Sequence, residues 1–223
     1  MVISKRQVED GKSIYRDRGL LYLIYRSISY AYRLIIRPYL PTVGYRIRGY
    51  SYPHGNIRVN QKRKLFDKYL SGHFHHAVHQ SAHEGGLVLG HRALTQKGDH
   101  VVIVGGGGGI STTAAAWQVG DAGRITVFDG RNGEKHDLFG IANIDQTMSL
   151  NRVTSEVELR HAIVSTDDIG ENINTGVEVG DDTPIVHPSD LPTCDVLELD
   201  CNAAELSILR NLDVRPRAMI VEI

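Results

Sequence analysis

The stretch Val101-Val102-Ile103-Val104-Gly105-Gly106-Gly107-Gly108-Gly109-Ile110-Ser111-Thr112 reads as a buried strand, a glycine turn and the start of a helix. Four consecutive β-branched aliphatic residues suit a strand covered on both faces rather than one with a wet side. Glycine is needed in such a turn where the backbone must take positive φ and where a ligand must approach the main chain with no Cβ in the way. Free N–H groups at the start of the following helix attract anionic or polar ligand atoms. Five glycines between a strand and a helix therefore read as a nucleotide-type binding loop, against the alternative of a plain flexible loop.

The next apolar run, Arg124–Phe128, ends at Asp129, 20 residues after Gly109. A carboxylate at the tip of the second strand can accept hydrogen bonds from the two ribose hydroxyls of a nucleoside. Three further short apolar runs follow at Val157–Val164, Asp195–Leu199 and Ala218–Val221, and Thr112–Val119 between the first two runs reads as a helix. Short apolar runs separated by helical patterns indicate an α/β fold, a mostly parallel sheet with helices on both faces.

NAD(P) and S-adenosylmethionine (SAM) both suit this geometry. The dinucleotide fingerprint GxGxxG/A requires a small third residue where the helix packs on the strand. Its three frames here place Ile110, Ser111 or Thr112 at that position, and none completes it. The shorter GxGxG pattern of Gly105, Gly107 and Gly109 is complete, as in SAM-dependent methyltransferases. A P-loop is excluded because no Lys-Ser/Thr pair follows the glycines.

From Gly98 to Glu222 the chain resembles a class I SAM-dependent methyltransferase, and more narrowly the FkbM type. The resemblance rests on Gly98-Asp99-His100-Val101-Val102, the glycine motif, Ile125-Thr126-Val127-Phe128-Asp129 and His161-Ala162-Ile163-Val164. Most specific is Asp195-Val196-Leu197-Glu198-Leu199-Asp200-Cys201-Asn202-Ala203-Ala204-Glu205, followed by Leu209 and Met219-Ile220-Val221-Glu222. The resemblance implies a Rossmann-like doubly wound sheet and SAM as cofactor. It implies that Gly105, Gly107 and Gly109 line the methionine and ribose part, that Asp129 binds the ribose hydroxyls, and that Ile163 belongs to the cofactor pocket. Asp200, at the tip of the fourth strand, would face the reacting methyl or the acceptor. Asp200 and Glu205 also suit the first turn of the next helix as caps.

The segment departs from the family pattern in three places. Ile103 stands where many such enzymes carry an acidic residue, Asn202-Ala203 replaces Glu-Gly, and the sequence given ends at Ile223, where the family fold continues into an antiparallel pair of strands. The implied activity is O-methylation of a hydroxyl on a glycan or small molecule, with Asp200 as general base and His161 and His187 as weaker alternatives. The alternative is a non-catalytic Rossmann-like binding module tethered by a basic N-terminal helix to a membrane or assembly. An NAD(P) oxidoreductase ranks third. Nucleic acid is disfavoured as acceptor, since no Asn/Asp-Pro-Pro-Tyr/Phe element occurs.

The chain's net charge of −1 hides an asymmetry: residues 1–70 carry 15 Lys/Arg against 4 Asp/Glu, and the remainder 10 against 22. Such blocks mark a basic extension, residues 1–70, on an acidic SAM-binding domain, residues 71–223, and the extension suits an anionic partner. From Ser13 to Arg37 the pattern is helical, with Arg18, Arg26, Arg33 and Arg37 on one stripe. That helix suits either a membrane interface or packing on protein. Arg26 and Arg33 interrupt its apolar run, so it does not span a bilayer. Residues 43–60 alternate like a small hairpin, and a helical region is expected from Lys62 to about Thr95. Its histidines, His73, His75, His76, His79, His83 and His91, include an i, i+4, i+8 series, but with no cysteine or HExxH nearby they read as surface or interface residues and no metal site is assigned. Two cysteines, Cys194 and Cys201, in one apolar segment and no secretory signal lead to the expectation of a cytoplasmic protein, with contact at the inner membrane face through residues 13–37. A homo-oligomer is compatible with the sequence.

Overall fold

A computed structural model describes residues 19–36, 39–52, 55–66, 84–131, 140–166, 183–201 and 204–222. The chain divides into two compact units, one of Met1–Tyr45 with Lys62–His79 and one of Arg46–Gln61 with Gln80–Ile223.

In the first unit, helix α1 (Leu20–Ala31) runs into a π-helical turn at Tyr32–Ile36. Tyr32 is buried and its hydroxyl donates to the Leu65 carbonyl. Leu20, Leu21, Ile24 and Ile28 of α1 are exposed. Arg18 and Arg37 of the anticipated basic stripe lie outside the described residues. No helix among the described residues is long and apolar enough to cross a membrane.

Two strands, β1 (Thr42–Tyr52) and β2 (Gly55–Lys64), form the hairpin expected over residues 43–60. The helix expected from Lys62 is corrected here, because β2 continues as strand to Lys64. An 11-residue partner strand offers a ladder to that length, and ladder pairing outweighs the weak helical preference of a Lys/Arg run. Helix α2 (Gly85–Leu94) supplies the end of that expected helical region.

The second unit is built on a five-stranded parallel sheet of β3 (His100–Val104), β4 (Arg124–Asp129), β5 (Glu156–His161), β8 (Val196–Leu199) and β9 (Ala218–Val221). Its order is β5-β4-β3-β8-β9, and a separate short pair joins β6 (Ile163–Val164) to β7 (Ile185–Val186). The strand order reverses beside β3, the doubly wound, Rossmann-like arrangement, so the crevice outside the carboxyl ends of β3 and β8 is where such sheets take ligands. Helices α3 (Ile110–Val119), α4 (Ile141–Leu150) and α5 (Glu205–Arg210) complete the layers.

Alternation along β3 divides the core between two faces. Val101 and Ile103 pack with Leu87 of α2, Ala115, Ala116 and Val119 of α3, and Ile144 and Met148 of α4. Val102 and Val104 pack with Phe128, Leu197 and Leu199, under Ile208 of α5 and Ala162, Val164 and Leu191 of the long connection. Helix α3 is covered on two sides. While its alanines at 115 and 116 meet the sheet, Ile110 and Ala114 meet Tyr50, Tyr52, Ile57 and Val59 of the hairpin. Three consecutive small side chains, Ala114–Ala116, permit this close double contact.

Candidate functional site

The five-glycine run resolves into two kinds of position. Gly105, Gly107 and Gly109 take φ of +91°, +57° and +83°, in the left-handed region that side chains disfavour. Gly106 lies between them for a different reason, since a Cβ there would come within 2.4 Å of Val127 Cγ1 and 2.7 Å of Ile144 Cδ1. The conformational demand thus falls on the GxGxG frame found in the sequence. Gly105 also passes close to the next strand: its N–H donates to the Phe128 carbonyl at 2.8 Å, and an added Cβ would lie 1.8 Å from the Asp200 carbonyl oxygen. The Asp200 N–H donates to the Val104 carbonyl at 2.9 Å, so the ends of β3, β4 and β8 are drawn together around the loop.

Asp129, the last residue of β4, is buried and faces this loop. Its Oδ2 accepts from the Gly107 N–H at 3.0 Å and from Nη2 of Arg131 at 3.0 Å. Its Oδ1 accepts from the backbone N–H of Arg131 at 2.8 Å and from Arg131 Nε at 3.0 Å. Arg131 was not singled out from the sequence, although a basic residue two places beyond a strand-end carboxylate is a readable local signal. Ile163 lies just past β5, where a Cβ on Gly130 would come within 2.7 Å of its Cγ1, so its side chain covers the turn that follows Asp129. His161, at the end of β5, directs Nε2 to the Gly130 carbonyl at 3.2 Å. His187 caps a short 3-10 turn, its Nδ1 bonded to Ser189. The glycine loop, Asp129 and Asp200 are brought to one edge of the sheet.

Asp200 and Glu222 follow the paired residues Leu199 and Val221 on adjacent parallel strands, so they stand side by side on one face. Burial first, then the hydrogen bond and charge of Glu222, then Glu198 and Glu84, push the Asp200 carboxyl up to about 8. Glu205, read as a cap, accepts from the Cys201 N–H at 2.8 Å and closes the turn after Asp200. Asn202 and Ala203 lie outside the described residues.

Glu198 is wholly buried beside Ile103 in the sheet register. Its carboxylate is held by His91 Nε2 and by the Ser111 hydroxyl, which donates at 2.7 Å. His91 Nδ1 in turn meets Thr95 Oγ1 at 3.0 Å. His91 therefore corrects the surface reading: it is a core residue of α2, tied to a strand of the sheet. A buried carboxylate needs such a partner, and the partner lies too far away in sequence for spacing to reveal it. Glu84, at the start of α2, accepts from the Ser111 N–H at 3.2 Å, and burial together with the charge of Glu198 raises its carboxyl to about 7. His73, His75, His76, His79 and His83 lie outside the described residues, and among the described residues no His, Cys, Asp and Glu side chains are grouped to hold a metal ion.

No protein-family model matches the sequence, and no curated protein matches it. Among solved structures, the chain is similar to a SAM-dependent O-methyltransferase from Thermotoga maritima, with 14% identity over 72% of this chain and 50% of that one, at a TM-score of 0.39. It is also similar to the apo form of the S-adenosylmethionine-dependent methyltransferase SibL, with 16% identity over 92% of this chain and 50% of that one, at a TM-score of 0.41. The chain spans half the length of both.

Proposed function

We propose that this chain is the SAM-binding domain of a methyltransferase. The observation that carries the reading is the alternation of positive φ at Gly105, Gly107 and Gly109, in GxGxG register, directly facing the strand-end carboxylate of Asp129. The residues present fit the cofactor: a loop of three left-handed glycines, a carboxylate for a vicinal diol, and the apolar Ile163 beyond it. Gly105, Gly107 and Gly109 would line the methionine and ribose part, Asp129 would take the ribose hydroxyls, and Ile163 would supply apolar surface on the same side. Bound SAM supplies an electrophilic sulfonium methyl.

Among the described residues at this edge, Asp200, beside Glu222, is a group able to handle a proton. With its carboxyl raised to about 8, it keeps its proton at neutral pH and releases it in mildly alkaline solution, where it becomes a base for an acceptor hydroxyl. The finer reading is O-methylation of a hydroxyl on a glycan or small molecule, and the resemblance of residues 195–205 to the FkbM segment supports it. Titration of the protein with SAM by calorimetry tests the proposal. Binding is expected, and Asp129→Ala should weaken it by about a hundredfold, the effect of losing two hydrogen bonds to a charged group. The absence of heat at millimolar SAM in the intact protein would defeat it.

A further inference from the structure

A carboxylate offers about four acceptor positions, two on each oxygen. All four on Asp129 are filled by N–H donors, at 2.8 to 3.0 Å. The side chain is 2% exposed, so no wet lone pair is left over. Two of the donors, the backbone N–H groups of Gly107 and Arg131, are fixed by the loop that holds them. The remaining two, Nε and Nη2 of Arg131, belong to a guanidinium fork on a partly exposed side chain, 15% accessible. Resting on the nucleoside reading above, a ribose diol brings two O–H donors to this carboxylate and must find two acceptor positions there.

We propose that Arg131 is an internal occupant of the ribose seat: its two-pronged guanidinium takes the acceptor positions that the two ribose hydroxyls require, and a nucleoside binds only by displacing it. The match is one of donor count and shape, two parallel N–H groups on one carboxylate for two vicinal O–H groups on the same carboxylate. Displacement does not strand the charge in an apolar place. Against the larger upward effect of burial on Glu84, the charge of Arg131 acts to lower that carboxyl, so the guanidinium already has an acidic group in its surroundings. Arg131 is thus a specificity-determining residue for the site. A ligand that cannot offer both hydroxyls has nothing to exchange for the fork and leaves the ion pair closed.

The exchange makes the apparent affinity of the intact protein lower than that of the empty seat, because the competent state is only part of the ensemble. Removing the fork should therefore strengthen binding. In calorimetric titrations of the full chain, Arg131→Ala and Arg131→Met are expected to bind SAM about tenfold more tightly than the parent, the exchange value of a bidentate charge-assisted pair. Adenosine, with both hydroxyls, should show the same gain, and 2′-deoxyadenosine should bind poorly to the parent protein. In the ligand-free parent, the Arg131 Nε–H proton should give a sharp, slowly exchanging signal that broadens in Asp129→Asn and on saturation with SAM. Equal or weaker SAM binding by both Arg131 variants, with the parent still binding, would overturn this inference and leave the nucleoside reading intact. Failure of parent and variants alike to bind SAM or adenosine would overturn both. Thermal melts of the two variants within a few degrees of the parent would confirm that folded proteins are being compared.

Discussion

The backbone of Gly105 passes so close to Asp200 that a methyl group on the glycine would sit 1.8 Å from the Asp200 carbonyl oxygen. The two residues end neighbouring strands, and their closeness sets the shape of the loop between β3 and α3. Gly98 has nearly the same backbone angle, φ +87°, but nothing lies within 4 Å of a Cβ placed on it. Comparing the two separates strain from collision. Gly98→Ala bears only the left-handed backbone cost and should lose about 1 kcal/mol of stability. Gly105→Ala must also move β8 or the loop, and should lose about 3–4 kcal/mol together with nucleoside binding. Urea melts of both variants measure the difference, and equal losses would show that the Gly105–Asp200 approach is not a constraint.

Asp200 carries a pH signature. Its folded carboxyl is raised to about 8, above the ordinary carboxylate range near 4, so the folded state holds a proton that the unfolded chain releases. The stability contributed by that proton is fully present below about pH 4 and is lost as pH rises toward 8. Glu84, raised to about 7, acts in the same direction. The melting temperature should therefore fall between pH 5 and 9 on account of these groups. Asp200→Asn should flatten the fall, and Glu222→Gln should shift its upper end downward by removing the neighbouring charge. An unchanged slope in Asp200→Asn would place the titration elsewhere.

The central strands β3, β4 and β8 were legible because each is a short apolar run buried on both faces, as the inner strands of a parallel sheet require, whereas the edge strand β5 alternates exposed and half-buried residues. Asp129 was legible from its spacing after the glycines. Glu198 and His91 were not, because they are 107 residues apart and become partners only when α2 crosses the sheet. Seen alone, Glu198 is one acid in a strand otherwise made of Val and Leu, and His91 is one of six histidines in a polar-looking segment. Lys62–Lys64 was misread because a run of Lys and Arg carries helical preference but no record of the strand opposite it. Arg131 sat in plain view next to Asp129, yet its role depends on the direction of a flexible side chain.

The His91–Glu198 pair should dominate the stability of the α2–sheet contact. Both side chains are wholly inaccessible, and the Ser111 hydroxyl completes the carboxylate's bonds. Removing one member leaves a buried group without its partner, which costs about 3–5 kcal/mol. His91→Leu should therefore be strongly destabilising, whereas Glu198→Gln, able to keep hydrogen bonds to both neighbours, should lose less. The exposed Arg160–Glu158 pair gives the contrast: with both side chains roughly half accessible, Arg160→Ala, which also gives up a 5.4 Å contact over the Phe128 ring, should change stability by about 1 kcal/mol or less. Chemical denaturation of these variants tests the ranking. A His91→Leu variant as stable as Arg160→Ala would mean that the buried pair contributes nothing.

Asn151 reaches from the end of α4 to the hairpin and treats β2 as a strand would. Its Oδ1 accepts from the Arg58 N–H at 2.8 Å, and its Nδ2 donates to the Arg58 carbonyl at 2.7 Å and to the Thr147 carbonyl at 2.7 Å. One side-chain amide thus satisfies both backbone groups of an edge-strand residue, the pairing that an exposed edge otherwise offers to another chain. The contact is solvent-exposed, so its net worth is small, about 1 kcal/mol. Its effect should be local rather than global. In Asn151→Ala, amide exchange at Arg58 should quicken by roughly tenfold while the amides of β3 and β8 exchange as before, because those strands open only with the whole sheet. Asn151→Asp retains the acceptor but loses the donor, and should protect the Arg58 N–H while leaving its carbonyl to water. If Arg58 exchanges equally fast in the parent and in Asn151→Ala, the amide does not hold the hairpin edge, and the buried cluster of Tyr50, Tyr52, Ile57 and Val59 with Val88, Ile110 and Ala114 keeps it in place.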